Sequence, residues 1–476
     1  MKKVFSIYIL IAFLGFTACE DLEFLEPKPE DRLTREIALG DLNGVAGHVA
    51  RGYHRLHSNF GWYGQNFMLN GDALADNVDL LNNTGRYVGQ LVNAARTTYN
   101  IYGAAYQIIN DENIALEVLP ELASEDPARA QLLEGQAKFA RALAYFDLAR
   151  VYGYEPGQEV GGFNLAVAIT PGAVLGTSNI EEWPRNTNVE VYTQIKSDLQ
   201  DAINLLPAEG AASSSPYLPS RTAAKAFLAR VNLYEGSYAT AAQLAEEVMA
   251  ETGATLTTAA NHLASWATAQ HPEAIFSLNI SSLDWGTVTG VNSSLATITN
   301  TNDPSRGLNS AQGVLRASVE LLASFEAGDI RRDLWVNPTG PDLWEGRKWN
   351  GELGGFREHI PIMRYSEILL IAAEGRARSG NDAAGLAHVN MLRANRGLTA
   401  STATGGALTT LILDERRKEF VLEGQRWFDL KRLGLAIPKA AAQGGVALPY
   451  TDFRVLANIP DGALSNNTLL TQNPGY

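Results

Sequence analysis

Apolar positions recur at helical spacing over much of the chain. From Tyr99 to Leu119, residues Tyr99, Tyr102, Tyr106, Ile109 and Ile114 fall near one face. From Glu134 to Tyr152 the pattern returns with Ala137, Ala140, Leu143, Ala144 and Leu148. Thr187-Asn188-Val189-Glu190 has the spacing of a capping box, in which the threonine hydroxyl and the glutamate carboxylate satisfy each other's backbone N–H groups. It predicts a helix that runs to Leu206 and stops at Pro207.

The clearest unit is Arg221 to Ala250. Small residues (Ala224, Ala229, Ala241, Ala242, Ala245) alternate with Leu228, Leu233, Tyr234 and Tyr238, and Gly236 sits between the halves. Small side chains let two antiparallel helices approach closely, and glycine permits the tight turn. Tyr365 to Arg396 repeats the design with Leu369, Ala372, Ala373, Gly380, Ala383, Ala384 and Ala387. Both units resemble tetratricopeptide hairpins. Two strong units and two weaker ones predict a mostly α fold: a scaffold of tetratricopeptide-like hairpins with loop-rich insertions and a few short strands. Ala274 to Ile280 reads as such a strand. Gly61 to Tyr87, Gly153 to Pro184 and Ser281 to Trp349 read as long loops, where binding usually resides.

The N-terminus has a different pattern. Lys2 and Lys3 precede an apolar run from Val4 to Phe16, which is too short to span a bilayer as a helix. The run ends in Phe16-Thr17-Ala18-Cys19, with Phe16 where leucine is commoner. Small residues before a cysteine are what a lipoprotein signal peptidase requires. Residues 1–18 therefore read as a signal peptide and Cys19 as a lipidation site. Cys19 is the chain's only cysteine, so an intrachain disulfide is excluded. Residues 19–33, with Pro27 and Pro29, read as a lipidated tether, and 34–476 as one domain. Acyl chains would hold the protein on the membrane without a transmembrane helix.

The formal net charge of −14 disfavours nucleic acid and polyanionic ligands. Neutral ligands and peptides stay open. There is no Gly-x-Ser-x-Gly, His-Glu-x-x-His or phosphate loop. His54 and His57 lie i, i+3 on a helix and lack an evident third metal ligand. Asp72, Asp76 and Asp79 lack the interleaved pattern of a calcium loop. Glu415, Glu419 and Glu423 stand at i, i+4, i+8 in a stretch, Asp414 to Arg432, read as a single helix. That spacing, with Arg393 and Arg396 nearby, suits a structural ion-pair network better than acid–base catalysis.

Several motifs carry a family resemblance. They are Phe325-Glu326-Ala327-Gly328-Asp329-Ile330-Arg331, Lys348-Trp349, Arg364-Tyr365-Ser366-Glu367-Ile368-Leu369-Leu370 with Ala373-Glu374, and Glu415-Arg416-Arg417-Lys418-Glu419-Phe420. Glu423-Gly424-Gln425-Arg426, Asp429-Leu430-Lys431-Arg432 and the ending Gln472-Asn473-Pro474-Gly475-Tyr476 complete the set. Their order and spacing resemble the SusD/RagB nutrient-binding lipoproteins of the Bacteroidetes. The resemblance implies a cell-surface, outer-membrane lipoprotein that binds oligosaccharides, or peptides in the RagB branch. It also implies a SusC-like TonB-dependent transporter as partner. No cofactor, metal or catalytic residue is implied, and a surface glycosidase is the less favoured alternative.

Sugars need flat aromatic platforms ringed by amide, carboxylate and guanidinium groups. Candidates in the first loop are Trp62, Tyr63, Asn82, Arg86 and Tyr87, and the resemblance adds Asp72, which stands where the family has an acidic residue near its binding face. Trp285, Asp284 and Trp344 are candidates in the later loop. Trp285, between a polar residue and Gly286, is the foremost.

Overall fold

The computed structural model describes residues 38–58, 62–176, 181–208, 216–286, 289–338 and 344–476. The signal peptide, Cys19 and the tether lie outside the described residues.

Among the described residues, nine helices carry the framework: α1 (Leu42–Ser58), α2 (Tyr102–Leu122), α3 (Pro127–Tyr152), α4 (Asn188–Leu205), α5 (Arg221–Tyr234), α6 (Tyr238–Glu251), α7 (Tyr365–Arg378), α8 (Asp382–Ala394) and α9 (Gly405–Glu419). Each helix from α1 to α8 packs on the next in chain order, and α9 returns to α7. The predicted capping box starts α4, with both reciprocal bonds made. Asp126 caps α3 by accepting from the Arg129 N–H, and Pro127 occupies the first turn, where its missing N–H costs nothing. Gly236 and Gly380 take the left-handed conformation their turns require, with φ of 80° and 87°. The α6–α7 contact explains Gly375: a Cβ there would come within 2.5 Å of the Tyr238 carbonyl oxygen.

The α6–α7 contact also shows how the long insertion leaves and rejoins the stack. Strand β2 (Ala274–Leu278) pairs antiparallel with β4 (Ile360–Arg364), closing the insertion at its neck. Strand β1 (Val78–Leu80) pairs with β3 (Leu315–Ala317), tying the first loop region to the insertion. Among the described residues, strands form only two-stranded sheets.

Two expectations need correction. Of the stretch read as a loop from Gly61 to Tyr87, the described part, 62–87, is not an open loop. Asn66–Ala73 is helical and mostly buried, because Phe67 packs against Tyr63, Tyr99 and Phe428. Nor is Asp414 to Arg432 one helix. Helix α9 ends at Glu419, and α10 (Arg426–Lys431) starts after a break. Leu422 and Gly424 take φ of 64° and 76° there. Gly424 is needed because a Cβ would come within 2.3 Å of the Phe67 carbonyl oxygen. Glu423 therefore sits in a turn.

Candidate functional site

After β2 the chain makes a tight turn that presents an indole. Asp284 Oδ2 accepts from the Ser281 N–H at 2.6 Å and from Ser281 Oγ at 3.0 Å, while Ser281 Oγ accepts from the Leu283 N–H at 3.2 Å. This reciprocal cap sets the 3-10 turn Ser282–Asp284 and leaves Leu283 91% and Trp285 57% exposed. The indole lies against two glycines with positive φ, Gly290 and Gly355. A Cβ on Gly355 would come within 2.8 Å of the ring. At Gly355 only a residue without a side chain fits this close to the ring, and more than half of Trp285 stays exposed to solvent.

The other loop meets this turn. Arg86 Nη1 donates to the Asn292 carbonyl at 2.8 Å, and Gln312 Nε2 donates to Asn292 Oδ1 at 2.8 Å. Asn82 Nδ2 donates to the carbonyls of Gln312 and Gly313. Asn82 and Asn292 are exposed, Arg86 is half-buried, and Asn279 is exposed beside the neck strand. Residues distant in sequence thus form one polar border, and Ser293 Oγ, next to Asn292, donates to the Gly286 carbonyl at 3.2 Å, which joins it to the turn that holds Trp285.

Five candidates are placed elsewhere. Trp62 is fully buried and donates Nε1–H to Asp147 Oδ2 at 2.8 Å. Tyr63 stacks on it, buried. Tyr87 is buried with its hydroxyl on Asn66 Oδ1, and Asp72 is buried with Oδ2 accepting from the Leu422 N–H. Burial raises the Asp72 carboxyl to about 7 against the pull of its hydrogen bonds from Asn77 and Leu422. These four hold the core and offer no face to a ligand, because the segment that carries them folds into the helix stack. Trp344 is half-buried, and one face of its ring is taken by the Arg332 guanidinium 3.9 Å from the centroid.

Asp284 is also buried, and its Oδ1 faces His54 Nδ1 at 3.5 Å and His57 Nδ1 at 3.9 Å. The third group that the histidine spacing lacked is therefore present, brought from the insertion. A cleft of about 360 Å³ opens at this cluster, lined in part by Tyr53, Tyr217 and Asn279. Burial lowers the His57 imidazole to about 4 against the attraction of Asp284. A larger cleft of about 560 Å³ lies at α1 and α2, lined by Arg55, Tyr102, Tyr106, Asp111 and Trp183 among others.

The Glu/Arg-dense segments form a buried network. Arg331 pairs with Asp329, Glu415 and Glu419; Arg364 with Glu273, Glu419 and Glu423; and Arg396 with Glu273 and Glu419. Lys348 reaches Glu423 at 2.6 Å and accepts the role of a C-cap, donating to the Glu419 and Val421 carbonyls. His262, Glu273 and Glu419 lie close enough to suggest a metal site. Burial would raise Glu273, but Arg396 and Arg364 hold its carboxyl far below the usual range. Three guanidinium groups already occupy these carboxylates and would repel a cation. The carboxylates face cations in a dry interior, so loss of any one partner would leave a buried charge uncompensated, and the network offers no acid–base pair across a cleft.

Residues 24–233 match a family model described as starch-binding and associating with the outer membrane. Residues 345–476 match a second, that of the SusD family. The chain belongs to the SusD family. It is 27% identical over 426 residues to SusD-like protein P2 of Formosa agariphila, covering 78% of this chain and 79% of that one. It is 34% identical over 126 residues to the starch-binding protein SusD of Bacteroides thetaiotaomicron, covering 25% of this chain and 21% of that one. The fold is similar to that of a SusD superfamily protein from Bacteroides thetaiotaomicron, with a TM-score of 0.79, 24% identity, and 91% and 100% of the two chains covered.

In this SusD-family chain the recognisable motif residues are mostly structural. Glu367 takes Arg230 at 2.6 Å, Glu374 takes Arg432 at 2.6 Å, and Asp429 takes Arg416 at 2.9 Å, all buried. The candidate ligand face lies instead on loop residues outside those motifs. Among the described residues no helix is long and apolar enough to cross a membrane.

Proposed function

We propose that this chain binds oligosaccharide nutrients at the cell surface and delivers them to a SusC-like TonB-dependent transporter in the outer membrane. It acts by recognition alone, without bond chemistry. Residues 1–18 are removed as a signal peptide, Cys19 carries the lipid anchor, 19–33 tether the protein, and 34–476 form the binding domain. The observation that carries the reading is Trp285: an indole more than half exposed and lying against glycines, beside a border of Asn82, Arg86 and Asn292. An aromatic face packs on the apolar C–H face of a pyranose, and amide and guanidinium groups match its hydroxyls. The family's description as starch-binding supports the ligand class.

A panel of oligosaccharides and peptides, followed by calorimetry on the best binder, tests this. Trp285→Ala should weaken oligosaccharide binding about thirtyfold, the loss of about 2 kcal/mol typical of a strong anchor. The melting temperature should hardly change, since more than half of the side chain is already in water. Binding of peptides and no glycan would replace the ligand class, and unchanged glycan affinity in folded Trp285→Ala would remove Trp285 from the site.

A further inference from the structure

We propose that His54, His57 and Asp284 form a zinc site that fastens the turn bearing Trp285 to helix α1. Three observations meet here. First, one ligand atom from each residue lies within 4.8 Å of the others, and the two imidazole–carboxylate distances are 3.5 and 3.9 Å. Two zinc bonds of about 2.0–2.1 Å at a tetrahedral angle separate their ligand atoms by roughly 3.3–3.5 Å, so small rotamer shifts suffice. Second, the His57 side chain is more than nine-tenths buried, and its Nδ1 has no hydrogen-bond partner. An orphaned buried ring nitrogen costs free energy unless something fills its lone pair or takes its proton. Third, the other carboxylate oxygen is committed: Asp284 Oδ2 is held by the Ser281 N–H and Oγ, which aims Oδ1 at the histidines. Outer hydrogen bonds of this kind orient the carboxylate ligands of metal sites.

Two imidazoles and one carboxylate favour zinc over calcium or magnesium, which take all-oxygen shells. Three protein ligands leave a position open, and it faces the cleft of about 360 Å³ lined by Tyr53, Tyr217 and Asn279. Water fills that position, or an oxygen of a bound molecule. The site spans two regions distant in sequence, since α1 carries the histidines and the insertion carries the aspartate. Occupancy therefore orders the turn that presents Trp285, one residue from the ligand. The inference does not depend on which nutrient the protein binds.

The test titrates zinc ion alone into the purified full chain after chelator treatment, by calorimetry, with a large excess of calcium and magnesium present. One equivalent should bind per chain. His54→Ala is the informative variant, because that side chain is 56% exposed and its loss leaves the core intact. Losing even an outer-shell partner typically costs 10–100-fold in metal affinity, so this variant should bind at least about tenfold more weakly. Asp284→Asn should do the same, and cobalt bound by the wild type should show the visible bands of a tetrahedral site. Hydrogen exchange of the Ser281–Trp285 amides should slow when zinc is added to wild type and not to His54→Ala. Absence of zinc binding in the wild type, displacement by calcium, or undiminished affinity in His54→Ala overturns the proposal. Failure here leaves the glycan test of Trp285 standing, because that test reads binding without added metal.

Discussion

Replacing Glu419 by alanine tests whether the buried network holds the fold. Its Oε1 accepts from Arg364 Nη1 and Arg396 Nη2, both at 2.8 Å; its Oε2 accepts from Arg396 Nε at 2.9 Å and Arg331 Nη1 at 3.3 Å. Four charge-assisted bonds at roughly 1.5–3 kcal/mol each would sum to an implausible loss. The true cost is smaller because every guanidinium keeps another carboxylate. Arg331 keeps Asp329 and Glu415, Arg364 keeps Glu273 and Glu423, and Arg396 keeps Glu273. What remains is one uncompensated positive charge in a dry interior, worth about 3–5 kcal/mol. Urea denaturation followed by tryptophan fluorescence reads it directly, with Glu419→Gln as a partial rescue that restores shape and one acceptor. Ligand affinity of the folded variant should match wild type, since no residue of the Trp285 border touches the network. A loss below about 1 kcal/mol, the scale of an exposed pair, would refute the reasoning.

Other outcomes follow from single residues. Burial alone would raise the Glu374 carboxyl, but Arg432 overrides it and holds the group at about 2, below its ordinary 4.5. The unfolded chain then binds more protons between those values, so this pair's contribution, on the order of 3 kcal/mol, is complete above pH 4.5 and lost as pH falls towards 2. Glu374→Gln should flatten the stability–pH slope there, and parallel slopes would argue against the pairing. Trp62→Ala should lower the melting temperature through a core cavity costing about 3–5 kcal/mol while leaving oligosaccharide affinity intact, the reverse of Trp285→Ala. Cys19→Ala should shift the protein out of the membrane fraction, and retention equal to wild type would exclude the lipid anchor.

Periodicity and turn chemistry were enough to read the helical framework. Helices α4 to α8 stand close to where the Thr187 cap, Gly236 and Gly380 put them, because such signals act within a few residues. The ion-pair role of Glu415 and Glu419 with Arg393 and Arg396 was legible from the sequence, whereas Glu423, read onto the same helix, meets Arg364 and Lys348 from a turn. Tertiary structure decided the rest. An indole's sequence neighbours do not say which face it turns to solvent: Trp62 and Trp285 both lie in polar, glycine-bearing stretches, yet one donates to buried Asp147 and the other lies open on Gly290 and Gly355. The break at Leu422 and Gly424 depends on the Phe67 carbonyl, contributed by a segment far earlier in the chain. Asp284 meets His54 and His57 only because β2 and β4 close the insertion back onto the stack. Local signals determine elements; burial and the meeting of distant groups are set by how those elements pack, which no single stretch encodes.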